Sequence, residues 1–129
     1  NVPPQKFDPE RFKAHYRELI ALFKSANPHC ALLFVTNNDC LLNLGRRHGK
    51  RTNPNTARVA KAFKELAAET GGAVWDQYHI MGGSRSSALW RGKRLMRPDR
   101  IHFTAEGYHL IGDILYNAII TDYLQADGN

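Results

Sequence analysis

Residues 30–36 read Cys30-Ala31-Leu32-Leu33-Phe34-Val35-Thr36, a run of strand length with no polar residue before its last position. A strand wetted on one face alternates apolar with polar side chains. A run that does not alternate fits a strand covered on both faces, as in the parallel sheets of α/β proteins. What flanks the run agrees with that class. Upstream, Asp8 is a good N-cap and Pro9 suits the first helical position. Phe12, Tyr16, Leu19, Ile20 and Phe23 then recur at helical spacing, with Arg11, Lys13, Arg17, Glu18 and Lys24 on the other face, until Asn27-Pro28 ends the helix. Downstream, a long loop leads to a second helix capped by Asn53-Pro54 or Asn55, with Val59, Phe63, Leu66 and Ala67 as its buried stripe and Gly71-Gly72 as its stop. Ala73-Val74-Trp75 is a second short strand, so residues 30–75 form one βαβ unit. A loop-rich stretch runs from Asp76 to Phe103. A last helix opens at Thr104 and is expected to carry Tyr108, Ile111, Ile114, Leu115, Ala118 and Ile119 inward. The fold class is α/β with a parallel sheet.

Two parallel strands do not cover the inner faces of three amphipathic helices, and sheets usually hold about five strands. The chain therefore reads as the C-terminal half of an α/β domain whose remaining strands lie upstream or in a second chain. It begins Asn-Val-Pro-Pro without Met or a signal segment, as an excised or processed piece would. The 129 residues, 43% hydrophobic and 10% aromatic, suit one globular domain and exclude a disordered chain. No apolar run approaches the roughly 18 residues of a membrane-spanning helix. Eighteen Lys and Arg against twelve Asp and Glu give a net charge of +6, which favours anionic partners. Cys30 and Cys40 allow at most one disulfide.

The sharpest chemical signal is Asp99-Arg100-Ile101-His102, placed just before the last helix. An Asp three residues before a His can fold its carboxylate back onto the imidazole, accept the Nδ1 proton and leave Nε2 free as a base. The alternative is an ordinary polar surface turn.

The longer stretch Asp99-Arg100-Ile101-His102-Phe103-Thr104-Ala105-Glu106-Gly107-Tyr108 resembles the final block of SGNH (GDSL-type) esterases, an Asp-x-x-His pair followed by a Thr-x-x-Gly-Tyr helix start. Tyr78-His79-Ile80-Met81-Gly82-Gly83-Ser84, Trp90 and the Asn37-Asn38-Asp39 turn resemble a bacterial, carbohydrate-directed branch of that family. The resemblance implies the C-terminal part of a flavodoxin-like, three-layer α/β/α fold, with residues 1–129 as one segment of a single hydrolase domain. It also implies a serine esterase without a cofactor, acting on O-acetyl groups of a polysaccharide, and a secreted, periplasmic or cell-envelope location. The family's nucleophilic Ser and the Gly and Asn of its oxyanion hole have no counterpart here; Asn1 to Asp8 would follow the Asn-bearing block directly. Only His102 as general base and Asp99 as its orienter carry over. The N-terminal half of the domain, from the same precursor or a companion chain, would supply the rest, and this segment alone would be inactive.

Other residues stay open between roles. Ser84, Ser86 and Ser87 lack the strand-then-helix setting of a hydrolase nucleophile. Gly82 and Gly83 permit a tight backbone path beside the substrate. Trp90 either walls a sugar site or plugs the loop against the core. Asn38, or Asn37, either lines the pocket or closes the strand through Asx-turn bonds. Arg46, Arg47, Lys50 and Arg51 read as a solvated loop, without the interleaved aromatics of a nucleic-acid site. Arg91, Lys93, Arg94, Arg97 and Arg100 form either a charged rim or a site for an anionic glycan. The histidines and cysteines show no zinc-ligand spacing, so no metal is expected. The rival functions are a non-catalytic carbohydrate-binding module that keeps the fold, and a binder of anionic polymer.

Overall fold

The structure, a computed structural model, describes residues 7–127. The Asn1–Lys6 lead, with the reading that it follows an Asn-bearing block, lies outside the described residues. Helix α1 spans Pro9–Ala26, and the Asp8 carboxylate accepts from the amides of Glu10 and Arg11 at 3.0 and 3.1 Å. Strand β1 (Leu33–Val35) pairs in parallel with β4 (Ala73–Trp75), with Phe34 opposite Val74. Between them in sequence lies α2 (Asn55–Thr70), which stops at Gly71 with φ +66°. Side-chain capping comes from Asn53, whose Oδ1 accepts from the Asn55 amide at 3.0 Å. The expected βαβ unit is therefore present, although its first strand is shorter than residues 30–36.

Several expectations need correction. First, the loop before α2 contains an antiparallel hairpin, β2 (Leu41–Asn43) with β3 (Lys50–Thr52), turning through Gly45 and Gly49 at positive φ. Lys50 and Arg51 thus belong to a strand. Second, the stretch from Asp76 to Phe103 holds two short helices, α3 (Gln77–Ile80) and α4 (Ser86–Gly92). They are too short to show a repeating apolar stripe in sequence. Third, Lys13 is buried against Glu65 and Glu10 at 2.7 and 2.9 Å, not spread on a wet face. Its partner Glu65 lies 52 residues away, beyond any local pattern.

Two apolar clusters organise the molecule. Ile20 of α1, Phe34 of β1, and Leu66 and Ala67 of α2 form one, ringed by Phe12, Tyr16, Leu32 and Phe63. Helices α1 and α2 thus cover the same face of the strand pair. Leu33 and Val35 point away from that cluster and remain 48% and 40% exposed. The expected cover on both faces is absent among the described residues. The last helix, α5 (Ala105–Asp127), starts where expected, with Thr104 Oγ1 accepting from the Gly107 amide. Its apolar stripe is only partly covered. Ile111, Ile114 and Leu115 are half-buried, whereas Tyr108, Ala118 and Ile119 are exposed, because no described element packs along the helix past its first turns. Met81, Met96 and Phe103 form the second cluster, with Trp90 and Ile111 against it, directly beneath the Asp99–His102 turn.

Candidate active site

The turn that carries Asp99 and His102 is the tip of a narrow loop. Met96 and Phe103 form an antiparallel bridge, and the Arg97 amide donates to the His102 carbonyl at 2.9 Å. Inside this frame Asp99 Oδ1 accepts from the amides of Ile101 and His102 at 2.9 and 3.1 Å, while Oδ2 lies 2.8 Å from His102 Nδ1. An ionised carboxylate only accepts, so it selects the imidazole tautomer with the proton on Nδ1. The hydrogen bond from His102, then those from the two amides, hold the Asp99 carboxyl well below the usual carboxylate range. The ring is 59% exposed, and Nε2 has no partner among the described residues. A base with its second nitrogen fixed and its first facing outward can take a proton from a hydroxyl brought against it.

The turn is gripped from behind. Asn38 Nδ2 donates to the Ile101 carbonyl at 3.2 Å, and the Leu41 amide reaches the Arg100 carbonyl at 3.4 Å. Arg100 itself donates from Nε and Nη2 to Ser87 Oγ at 3.2 and 2.9 Å, and Ser87 donates from Oγ and its amide to Asp39 Oδ2 at 2.6 and 3.1 Å. Asn38 is therefore brought to the dyad through its side-chain bond to the backbone of the turn. Trp90 donates from its indole nitrogen to the Met81 carbonyl at 3.0 Å and lies edge-on to Phe103, 5.7 Å between ring centres, which makes it a plug between loop and core. Gly82 and Gly83 take φ +109° and +69°, turning the chain between α3 and α4. Ser86 and Ser87 are buried at the start of α4, so a helix does follow this loop, contrary to the sequence reading, but helix α3 rather than a strand precedes it. Cys30 and Cys40 are free thiols, and burial pushes the Cys40 thiol up. Among the described residues, no three His, Cys, Asp or Glu side chains gather to hold a metal ion, and no helix is long and apolar enough to cross a membrane.

Residues 4–110 match the GDSL-like Lipase/Acylhydrolase family. The chain belongs to that family. Solved structures agree on the α/β fold with its parallel strands. A peptidoglycan O-acetylesterase superposes with a TM-score of 0.73 at 18% identity, over 91% of this chain and 34% of that one. The esterase domain of the ZfL2-1 ORF1 protein from a zebrafish retrotransposon gives 0.63 at 16% identity, over 90% and 61%. The chain thus spans about a third of one neighbour and three fifths of the other. No curated protein matches it.

One feature of this GDSL-like chain escaped the sequence reading although its spacing was visible. Asp76-x-x-His79 repeats the Asp-x-x-His pattern, and His79 Nδ1 lies 2.8 Å from Asp76 Oδ2. The two pairs differ in what else the acid does. Asp76 also takes Lys64 Nζ at 3.0 Å and Thr36 Oγ1 at 3.1 Å, and caps α3 through the His79 amide. Burial pushes the Asp76 carboxyl up, but the bonds from Lys64 and His79 outweigh it and leave it below its ordinary value. Asp76 ties the ends of β1 and β4 together, whereas no Lys or Arg side chain pairs with Asp99 among the described residues.

Proposed function

We propose that this chain supplies the base half of a serine esterase, as the C-terminal segment of a single GDSL-like hydrolase domain. One observation carries the reading: the imidazole of His102 is locked at Nδ1 by Asp99 and open at Nε2. His102 would take the proton of a serine hydroxyl as that oxygen attacks the acyl carbon, then return it to the leaving alcohol, while Asp99 stabilises the imidazolium. The chain contains no Gly-Asp-Ser sequence, and Ser87 is sealed in by Asp39 and Arg100. The nucleophile and oxyanion hole therefore come from the N-terminal half of the domain, and the isolated segment is inactive.

The substrate we favour is an O-acetylated carbohydrate, encountered in the cell envelope or outside the cell; the structural likeness to a peptidoglycan O-acetylesterase supports it. A second observation favours an anionic member of that class. From Gln77 to Pro98 the sequence holds no Asp or Glu, and Arg85, Arg91, Lys93, Arg94 and Arg97 are all exposed with no ion-pair partner among the described residues.

The test uses the complete enzyme, this chain together with its Ser-bearing segment, on 4-nitrophenyl acetate. His102→Ala is expected to remove roughly 10⁶-fold of kcat, and His79→Ala to leave it near wild type. Unchanged hydrolysis in His102→Ala would overturn the assignment. Run on an acetylated polyuronate, the same assay should lose kcat/KM as salt rises, since exposed charges are screened.

A further inference from the structure

We propose that Asp39, Ser87 and Arg100 form a positioning relay that holds the Asp99–His102 turn in its working shape. The activity it serves rests on the esterase reading above; its geometry does not. Asp39 and Ser87 are both fully buried, 48 residues apart in sequence, and joined by two bonds to one carboxylate oxygen. A serine hydroxyl has one proton. At 2.6 Å from Asp39 Oδ2 that proton goes to the carboxylate, which turns the lone pairs of Ser87 Oγ towards Arg100. The guanidinium fills them with two N–H groups, Nε at 3.2 Å and Nη2 at 2.9 Å. A rigid planar fork bound through two nitrogens fixes the direction of the whole side chain. The result is a buried acid and a half-buried guanidinium linked through one hydroxyl.

What this linkage holds is the backbone of the dyad. Arg100 sits at φ +55°, the left-handed region that a residue with a Cβ rarely enters. The Asp99 carboxylate receives the Ile101 and His102 amides, and the His102 ring, because the chain reverses there. With the side chain of Arg100 tethered to Ser87 and its carbonyl to the Leu41 amide, the reversal is held from both ends. Residues 38 to 41 then set the turn through three separate bonds: Asn38 to the Ile101 carbonyl, Asp39 through Ser87, and Leu41 to the Arg100 carbonyl. Asp39 and Ser87 touch no reacting atom. Their effect is on where Nε2 of His102 stands.

Arg100→Gly separates this role from simple tolerance of the backbone angle. Glycine accepts a positive φ freely, so if the turn needed only that angle, the variant would keep full activity. The relay predicts otherwise. In the complete enzyme, Arg100→Gly and Ser87→Ala should each lower kcat on 4-nitrophenyl acetate about 10–100-fold, the usual effect of losing an outer supporting bond, with KM within about twofold. Long-range ¹H–¹⁵N spectra should show His102 changing from one Nδ1–H tautomer to a mixture. Wild-type kcat and a single tautomer in a folded Arg100→Gly enzyme would overturn the relay. Should Ser87→Ala fail to fold, Arg100→Gly decides alone, because its side chain leaves a half-exposed position. His102→Ala tells the two proposals apart: if it keeps activity, the esterase base is wrong, while a tautomer mixture in Arg100→Gly still supports the relay.

Discussion

At Asp99 the local chemistry makes a pH prediction with a definite sign. Its folded-state carboxyl is held below the value of an unfolded Asp, about 3.9. A depressed carboxyl contributes stability that is complete above the unfolded value and is lost only as pH falls towards the folded one. Between pH 7 and about 4 the Asp99 side-chain ¹³C shift should therefore show no titration step, and a step in that window would overturn the pairing. Asp99→Asn should cost about 10⁴-fold in kcat, less than loss of the base, by releasing the tautomer. This pair was legible in sequence because its members lie three apart in one turn. Asp39 and Ser87 were not, since what joins them is 48 residues of folded chain. The Asp76–His79 pair shows the limit from the other side. Spacing finds an Asp-x-x-His bond, but only the bonds from Lys64 and Thr36 reveal that this acid is a brace between strand ends.

Elements, like residues, were legible where their signals are local. Both ends of α1 and α2 follow from caps and stops in sequence: Asp8, Asn27, Asn53 and Gly71. The β2–β3 hairpin was not, because three-residue strands show no alternation and four cations in six residues look like solvated loop. Helix α5 gives the prediction at this scale. A Cβ on Gly107 would collide with the Leu95 carbonyl and lie 3.1 Å from Phe103 Cβ, both fixed by the bridge beneath the dyad turn. Gly107→Ala should lower stability by about 1–3 kcal/mol, as overpacking does, and disturb the His102 signals, because Thr104, which caps this helix turn, lies two residues from His102. Gly92→Ala, with nothing within 4 Å of the added carbon, should do neither. Thermal melts with ¹H–¹⁵N spectra check both, and equal effects would sink the claim that α5 seats the turn.

Across the whole molecule, large apolar side chains stay exposed on several elements, Leu22 and Phe23 of α1 and Leu89 of α4 among them. Leu33 and Val35 stand on the face of β1 opposite the core, and α5 carries Tyr116, Ile119, Tyr123 and Leu124 at 48–64% exposure. Isolated exposed apolar residues are ordinary, whereas a contiguous patch marks a surface that something covers. The sequence points the same way, since a strand run without polar alternation asks for cover on both faces. Among the described residues the strand pair also has a free edge on each side, and an unpaired edge is a template for another strand. Covering that face and adding strands to those edges is what the proposed N-terminal half of the domain would do, and the same docking would bring its serine against His102. The 129-residue chain by itself is therefore expected to self-associate in sedimentation velocity and to bind a dye specific for apolar surface. Joining or mixing it with the Ser-bearing segment should yield one defined species, lower the dye signal and switch on hydrolysis together. A dye-silent monomer, or hydrolysis by the segment alone at the rate of the complete enzyme, would show that the open face has no such partner.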